Sequence, residues 1–176
     1  MGSGIAQTCA QTGYPTVMLG RRDESITRGM ISIEKGLSRL VKRDRISEEA
    51  KRSALGRIEA TIDINQVKEC DLIIEAVIED LPVKIDLFRQ IDNLCQPYTI
   101  LASDTATLPI GDLAKATSRP DRVLGLHILS PAPSSKIVEV VRSKFCSDQT
   151  IEKAIAFCES LGKSAVVVKD SPGVGQ

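Results

Sequence analysis

The sequence predicts an α/β fold on a doubly wound, mostly parallel sheet with a helical arm. Three observations carry this expectation. Short apolar runs alternate along the chain with amphipathic stretches of helical length. One run, residues 70–77, is almost continuously apolar, the mark of a central parallel strand covered on both faces. A length of 176 residues with 42% apolar content suffices for one domain with a real core.

Taken in order, Gly2 and Gly4 lead into a helix of small residues, 5–12, stopped by Gly13. Residues 16–19 follow as a strand ending at Gly20, Arg21 and Arg22. A glycine-led helix before a strand is the second half of a βαβ unit, with no first strand ahead of it. Two glycines at a chain start equally suit a flexible tag. Residues 23–43 form the arm, a long helix with Ile26, Met30, Ile33, Leu37, Leu40 and Val41 on one face. Its basic edge (Arg39, Lys42, Arg43) suits either solvent or a phosphorylated ligand. Ser47 starts a short helix with acids in its first turn, closed by Leu55 and Gly56.

Residues 57–62 are a strand candidate, and the run at 70–77 carries Glu79 and Asp80 beyond its carboxyl end. Residues 81–95 repeat Val83, Ile85, Leu87, Phe88 and Ile91 at helical spacing. A strand at 99–104 and a short helix at 108–116 follow. Strands at 122–128 and 136–142 flank a Pro- and Ser-rich turn, residues 130–135. Paired as an antiparallel hairpin, they set positions near 127 and 139 opposite each other. A helix at 148–161 stops at Gly162, residues 164–169 are the last strand, and Asp170-Ser-Pro-Gly ends the domain.

Composition excludes several classes. Lys and Arg balance Asp and Glu at 23 each, which leaves no basic footprint for nucleic acid. Aromatic residues are 3% with no tryptophan, so stacking platforms for single strands are lacking. No apolar run is long enough to span a membrane, and no secretory leader is present. Cys9, Cys70, Cys95, Cys146 and Cys158 form no C-x-x-C pair, and a single histidine argues against a zinc site. Scattered free thiols suit a reducing compartment, the cytoplasm.

In doubly wound sheets, ligands bind outside the carboxyl ends of the strands. The polar residues there are Gly20 to Arg22, Glu79, Asp104 to Thr107, and His127. His127, the only histidine, ends an apolar strand, and the hairpin brings Glu139 to it. An imidazole oriented by a carboxylate can act as general base or acid near neutral pH. A strand-end histidine beside an unrelated surface glutamate gives the same spacing. The gathering of polar residues on one sheet edge favours the catalytic alternative.

Five motifs in order resemble one family. They are Met1-Gly-x-Gly-Ile-Ala, Ile74-Glu-Ala-Val-x-Glu79-Asp-Leu-x-Val-Lys84, Gly125-Leu-His127-x-x-x-Pro131-Ala-Pro, Val138-Glu139-Val-Val, and Val168-Lys-Asp-Ser-Pro-Gly173. Together they resemble the amino-terminal domain of L-3-hydroxyacyl-CoA dehydrogenases, a Rossmann-like nucleotide-binding domain, over essentially the whole chain. The resemblance implies hydride transfer between NAD(P) and C3 of a 3-hydroxyacyl-CoA, in fatty-acid metabolism. It makes His127 the catalytic base and Glu139 its partner. It sets Gly2 at the last glycine of the nucleotide fingerprint. Glu79 and Lys84 match positions on the nicotinamide-side ribose, and Arg43 a position that meets coenzyme A phosphates. The family's first strand and its carboxyl-terminal helical domain, the dimer interface, have no counterpart here. A full-length form is expected to be a homodimer.

The departures from the family pattern cluster around one site. Ala106 stands where the family carries a serine that hydrogen-bonds the reacting oxygen, with Thr105 and Thr107 as the candidates to replace it. Losing one such donor costs about 2–4 kcal/mol of transition-state stabilisation. Asp104 and Ser130 each stand where an asparagine is usual, and Gly36 replaces a polar position on the arm. Gly20 replaces the acid that binds the adenosine ribose of NAD. A glycine followed by Arg21 and Arg22 would admit a 2′-phosphate, which favours NADP over NAD, although a solvated basic pair also fits. The expectation is thus an NAD(P)-dependent 3-hydroxyacyl-CoA dehydrogenase. The alternative is a non-catalytic nucleotide-binding relic or truncated product of the same family, motivated by Ala106, the missing first strand and the missing helical domain.

Overall fold

The computed structural model describes residues 1–171. Pro172 and Gly173, the end of the last motif, lie outside the described residues. The described residues divide into two compact units, one of residues 1–66 with 131–134, the other of residues 67–130 with 135–171. No helix among the described residues is long and apolar enough to cross a membrane.

The first unit holds α1 (Gly2–Thr12), β1 (Thr16–Leu19), α2 (Asp23–Lys42), α3 (Glu48–Gly56) and β2 (Ile58–Thr61). Gly13 ends α1 in the left-handed conformation, φ 110°, and its N–H returns to the last turn of the helix. Ser47 accepts the Ala50 N–H at 3.0 Å and caps α3. The arm helix buries Ile33 and Leu37 against Ala6 and Ala10 of α1 and Ala54 of α3. Small residues on α1 let the helices approach closely. At Gly36 a Cβ would stand 2.6 Å from the Gln7 Oε1, so a side chain there would require the Gln7 amide to shift. β1 and β2 pair in parallel, Thr16 with Ile58 through Leu19 with Thr61.

The second unit is a five-stranded sheet in the order β3 (Leu72–Glu75), β4 (Ile100–Ser103), β5 (Val123–Ile128), β6 (Ile137–Arg142), β7 (Ser164–Lys169). All pairings are parallel except β5 with β6. Its helices are α4 (Leu81–Leu94), α5 (Ile110–Lys115) and α6 (Asp148–Ser160). Leu101, Leu124, Leu126, Val138 and Val140 are fully buried with Phe88 and Ile110. Each such side chain stabilises the fold by about 1.5–3 kcal/mol relative to exposure. Pro109 precedes α5 and has no capping side chain, so Asp170 does that work from beyond β7. Its carboxylate accepts the Ile110 and Gly111 N–H groups at 3.0 and 2.7 Å.

The five-stranded sheet is mostly parallel, as expected, and β1 and β2 make a separate pair. One expectation changes. The run at 70–77 is not central, because β3 hydrogen-bonds β4 alone among the described residues, and Leu72, Ile73 and Ile74 stay half-buried. Its apolar composition reports covered faces. It does not report how many strands pair with its edges.

Candidate active site

The register pairs His127 directly with Glu139 across β5 and β6. The imidazole Nδ1 lies 2.9 Å from the Glu139 Oε2. An ionised carboxylate only accepts, so Nδ1 donates to it, and in the neutral ring that leaves the lone pair on Nε2. The two side chains are 16% and 29% exposed, open enough for a ligand yet held by their strands. An imidazole held in this way has its ring angle set by its partner, and the arrangement can do general acid–base chemistry.

Asp104 follows β4 and accepts the Ile128 N–H at 2.9 Å, which ties the loop after β4 to the strand end that carries His127. Burial pushes the Asp104 carboxyl above the usual range, although the Ile128 N–H, His127 and Lys84 pull the other way.

A second polar cluster lies at the ends of β3 and β4. The sequence places Lys84 on the ligand, but the structure leaves its side chain no exposed surface. Its ammonium donates to Glu75 Oε1 at 2.6 Å and to the Val77 carbonyl at 3.3 Å, with Glu79 Oε2 at 3.5 Å. In this arrangement the Lys84 ammonium is held by Glu75, the Val77 carbonyl and, at longer range, Glu79. Glu75 also accepts the Val77 N–H at 2.6 Å and the Ser103 hydroxyl at 2.7 Å. Glu75 and Ser103 were not among the expected site residues. The signal for them was a glutamate inside an apolar strand, which must have a partner when buried.

Glu79 is the exposed end of this cluster, with 41% of its side chain open. Its Oε1 accepts the Thr105 hydroxyl, and also the Thr107 hydroxyl at 3.0 Å and the Thr107 N–H at 3.3 Å. Burial pushes its carboxyl up, but the two threonines and Lys84 together outweigh that and hold it below the usual range. Both threonine hydroxyls thus spend their protons on Glu79. Neither is free to serve as the donor missing at position 106. Ala106 itself lines a small recess with Thr105, Thr107, Val141, Val168 and Asp170. Ser130 is exposed in the turn after β5.

In the first unit, Gly2 is the first residue of α1, and Arg43 is exposed at the carboxyl end of the arm helix. Arg21 and Arg22 are exposed after β1. The Ser25 hydroxyl folds back onto the Arg22 carbonyl at 2.6 Å at the start of α2. Gly20 sits under this turn: a Cβ there would meet Ser25 Oγ and Ile26 Cγ1 at 2.7 Å each. A side chain at position 20 would require the Ser25 and Ile26 side chains to shift.

The model of the 3-hydroxyacyl-CoA dehydrogenase NAD-binding domain matches residues 1–171. The chain is similar to a probable 3-hydroxybutyryl-CoA dehydrogenase of Bacillus subtilis, 38% identical over 98% of this chain and 60% of that protein. It is 36% identical to the human mitochondrial hydroxyacyl-coenzyme A dehydrogenase, over 98% of this chain and 57% of that one. The crystal structure of the (S)-3-hydroxybutyryl-CoA dehydrogenase from Ralstonia eutropha superimposes with a TM-score of 0.96 at 38% identity, covering 98% of this chain and 61% of that one. The chain therefore spans about 60% of the length of relatives it matches.

Proposed function

The chain belongs to the 3-hydroxyacyl-CoA dehydrogenase family through its NAD-binding domain, and from that premise we propose that it is the nucleotide-binding and acid–base part of an oxidoreductase acting at C3 of a 3-hydroxyacyl-CoA, in fatty-acid metabolism. The observation that carries this is the His127–Glu139 pair, 2.9 Å apart and partly open. When bound, NAD(P) supplies the hydride acceptor. His127 Nε2 takes the substrate hydroxyl proton as the C3–H bond breaks and the carbonyl forms. Glu139 stabilises the imidazolium and holds its angle, and in the reverse direction the proton returns from Nε2. Glu79 fits a ribose hydroxyl, because Oε2 accepts no hydroxyl or N–H of the loop that saturates Oε1. Arg43 suits the phosphates of coenzyme A, and Ser130 and the 105–107 loop suit the acyl thioester.

Arg21 and Arg22 support NADP over NAD, as two exposed guanidinium groups beside a residue with no acid. Titrating the purified chain with NADH and NADPH by fluorescence tests this. Saturable binding, tighter for NADPH, is the expected result. Tighter binding of NADH would remove the arginines from 2′-phosphate recognition, and binding of neither would overturn the nucleotide site.

Ala106, with both neighbouring threonines committed to Glu79, supports a second reading, a nucleotide-binding relic without turnover. Ala106→Ser restores the donor and should raise turnover of 3-hydroxybutyryl-CoA by about a hundred-fold, the usual worth of one such donor. No gain over a measurable wild-type turnover would show that another group already serves the reacting oxygen, and no turnover in either form would favour the relic.

A further inference from the structure

We propose that Asp104 is a positioning residue, a second carboxylate that stabilises the charged form of His127 from the β4 side of β5, as Glu139 does from the β6 side. The inference rests on the acid–base role of His127 proposed above and deepens it. The strand order sets the arrangement. β5 lies between β4 and β6, and each neighbour brings one carboxylate to the end of β5 that carries the histidine. Glu139 comes from β6, in register with His127 and 2.9 Å from its Nδ1. Asp104 comes from the loop after β4, and its Oδ1 accepts the Ile128 N–H at 2.9 Å. That nitrogen closes the peptide bond of His127, so the hydrogen bond fixes the carboxylate at the backbone of the histidine.

The two acids act in different ways. Glu139 reaches the ring by a hydrogen bond. Asp104 is half-buried, and its Oδ2 has no hydrogen-bond partner among the described residues. The other charges of this unit on the same edge belong to β3 and α4, beyond β4. There Lys84 stands between Glu75 at 2.6 Å and Glu79 at 3.5 Å, and so is already held by two carboxylates. A half-buried carboxylate with one bare oxygen is poorly compensated, and burial raises the Asp104 carboxyl while the Ile128 N–H, His127 and Lys84 pull it back. Coupling between two such groups is mutual. What a protonated His127 does for the Asp104 anion, the anion does for the imidazolium. Asp104 therefore strengthens Nε2 as an acceptor of the substrate proton. The same charge keeps the ring protonated, and useless as a base, up to a higher pH.

Asp104→Asn tests this, since the amide oxygen keeps the Ile128 N–H while the charge goes. His127 is the only histidine of the chain, so its ring signals in proton NMR report a single titration. Without ligand, that titration should move to lower pH in Asp104→Asn, by about half a pH unit or more for the loss of one nearby charge. The same displacement should appear when Asp104→Asn is added to Glu139→Gln. A titration unmoved in Asp104→Asn overturns the proposal. So does a displacement that vanishes in the Glu139→Gln background, because Asp104 would then act by aligning the His127–Glu139 bond and not by its charge. If Asp104→Asn does not fold, Asp104→Ser is read against the same outcomes. In the full-length protein, the acid limb of kcat/KM for 3-hydroxybutyryl-CoA should move to lower pH together with the titration. A limb that does not follow a shifted titration would overturn His127 as the base and keep its coupling to Asp104.

Discussion

Under the dehydrogenase activity proposed above, His127→Gln in the full-length protein is expected to lower turnover of a 3-hydroxyacyl-CoA by about 10²–10⁴-fold, the range for loss of one general base, and to leave fold and nucleotide affinity as they are. The reason is local. Glutamine can keep a hydrogen bond to Glu139, which lies 2.9 Å from the imidazole Nδ1, so the strand pairing of β5 and β6 is undisturbed. It has no lone pair basic enough to take the hydroxyl proton. The position is only partly buried, so the exchange opens no cavity. Glu139→Gln should cost less, because the imidazole remains while its tautomer and charge lose their support. The check is steady-state turnover beside NADH titration and circular dichroism on the same samples. Unchanged turnover removes His127 from the mechanism, and lost nucleotide affinity would make its role one of binding.

Much of this site is local in sequence, and that is why it can be read there. Two apolar runs around a Pro- and Ser-rich turn leave one antiparallel register, and the structure pairs His127 with Glu139 in it. The arm helix follows from its apolar spacing, and its buried stripe is Ile33 and Leu37. What could not be read depends on partners distant in the chain. Asp170 caps α5 from 60 residues away, replacing the side chain that Pro109 lacks. The edge position of β3 is set by which strands hydrogen-bond it, and its apolar composition is silent on that. Thr105 and Thr107 read as substitutes for a missing donor because the sequence does not say where a hydroxyl points. Glu79, 28 residues away from Thr107, takes both protons. Gly20 reads as an opening for a phosphate, and the structure adds that its Cβ position is crowded by the Ser25 and Ile26 side chains. That packing does not decide between nucleotides, which leaves the choice to Arg21 and Arg22.

Lys84→Met destabilises the second unit by about 3–5 kcal/mol, the usual cost of stranding one partner of a buried ion pair. For a chain of this size that lowers the melting temperature by roughly 6–20 °C. Methionine matches the volume of the lysine stem, so packing is not what is lost. What remains is a Glu75 carboxylate at 4% exposure with the Val77 N–H and the Ser103 hydroxyl but no cation. Removing both charges, with Glu75→Gln added, should recover most of the loss, because a neutral amide keeps those two bonds without an uncompensated charge. The direction with pH separates this cause from a packing defect. In the single variant, protonating Glu75 abolishes the stranded charge, so the deficit against wild type is full at neutral pH and shrinks on acidification. A cavity would cost the same at every pH. Thermal melts of the wild type and both variants between neutral and mildly acidic pH decide it. A deficit that does not change with pH, or a double variant no better than the single one, would mean that Lys84 supports the fold by its bulk, and that the pairing with Glu75 adds nothing to stability.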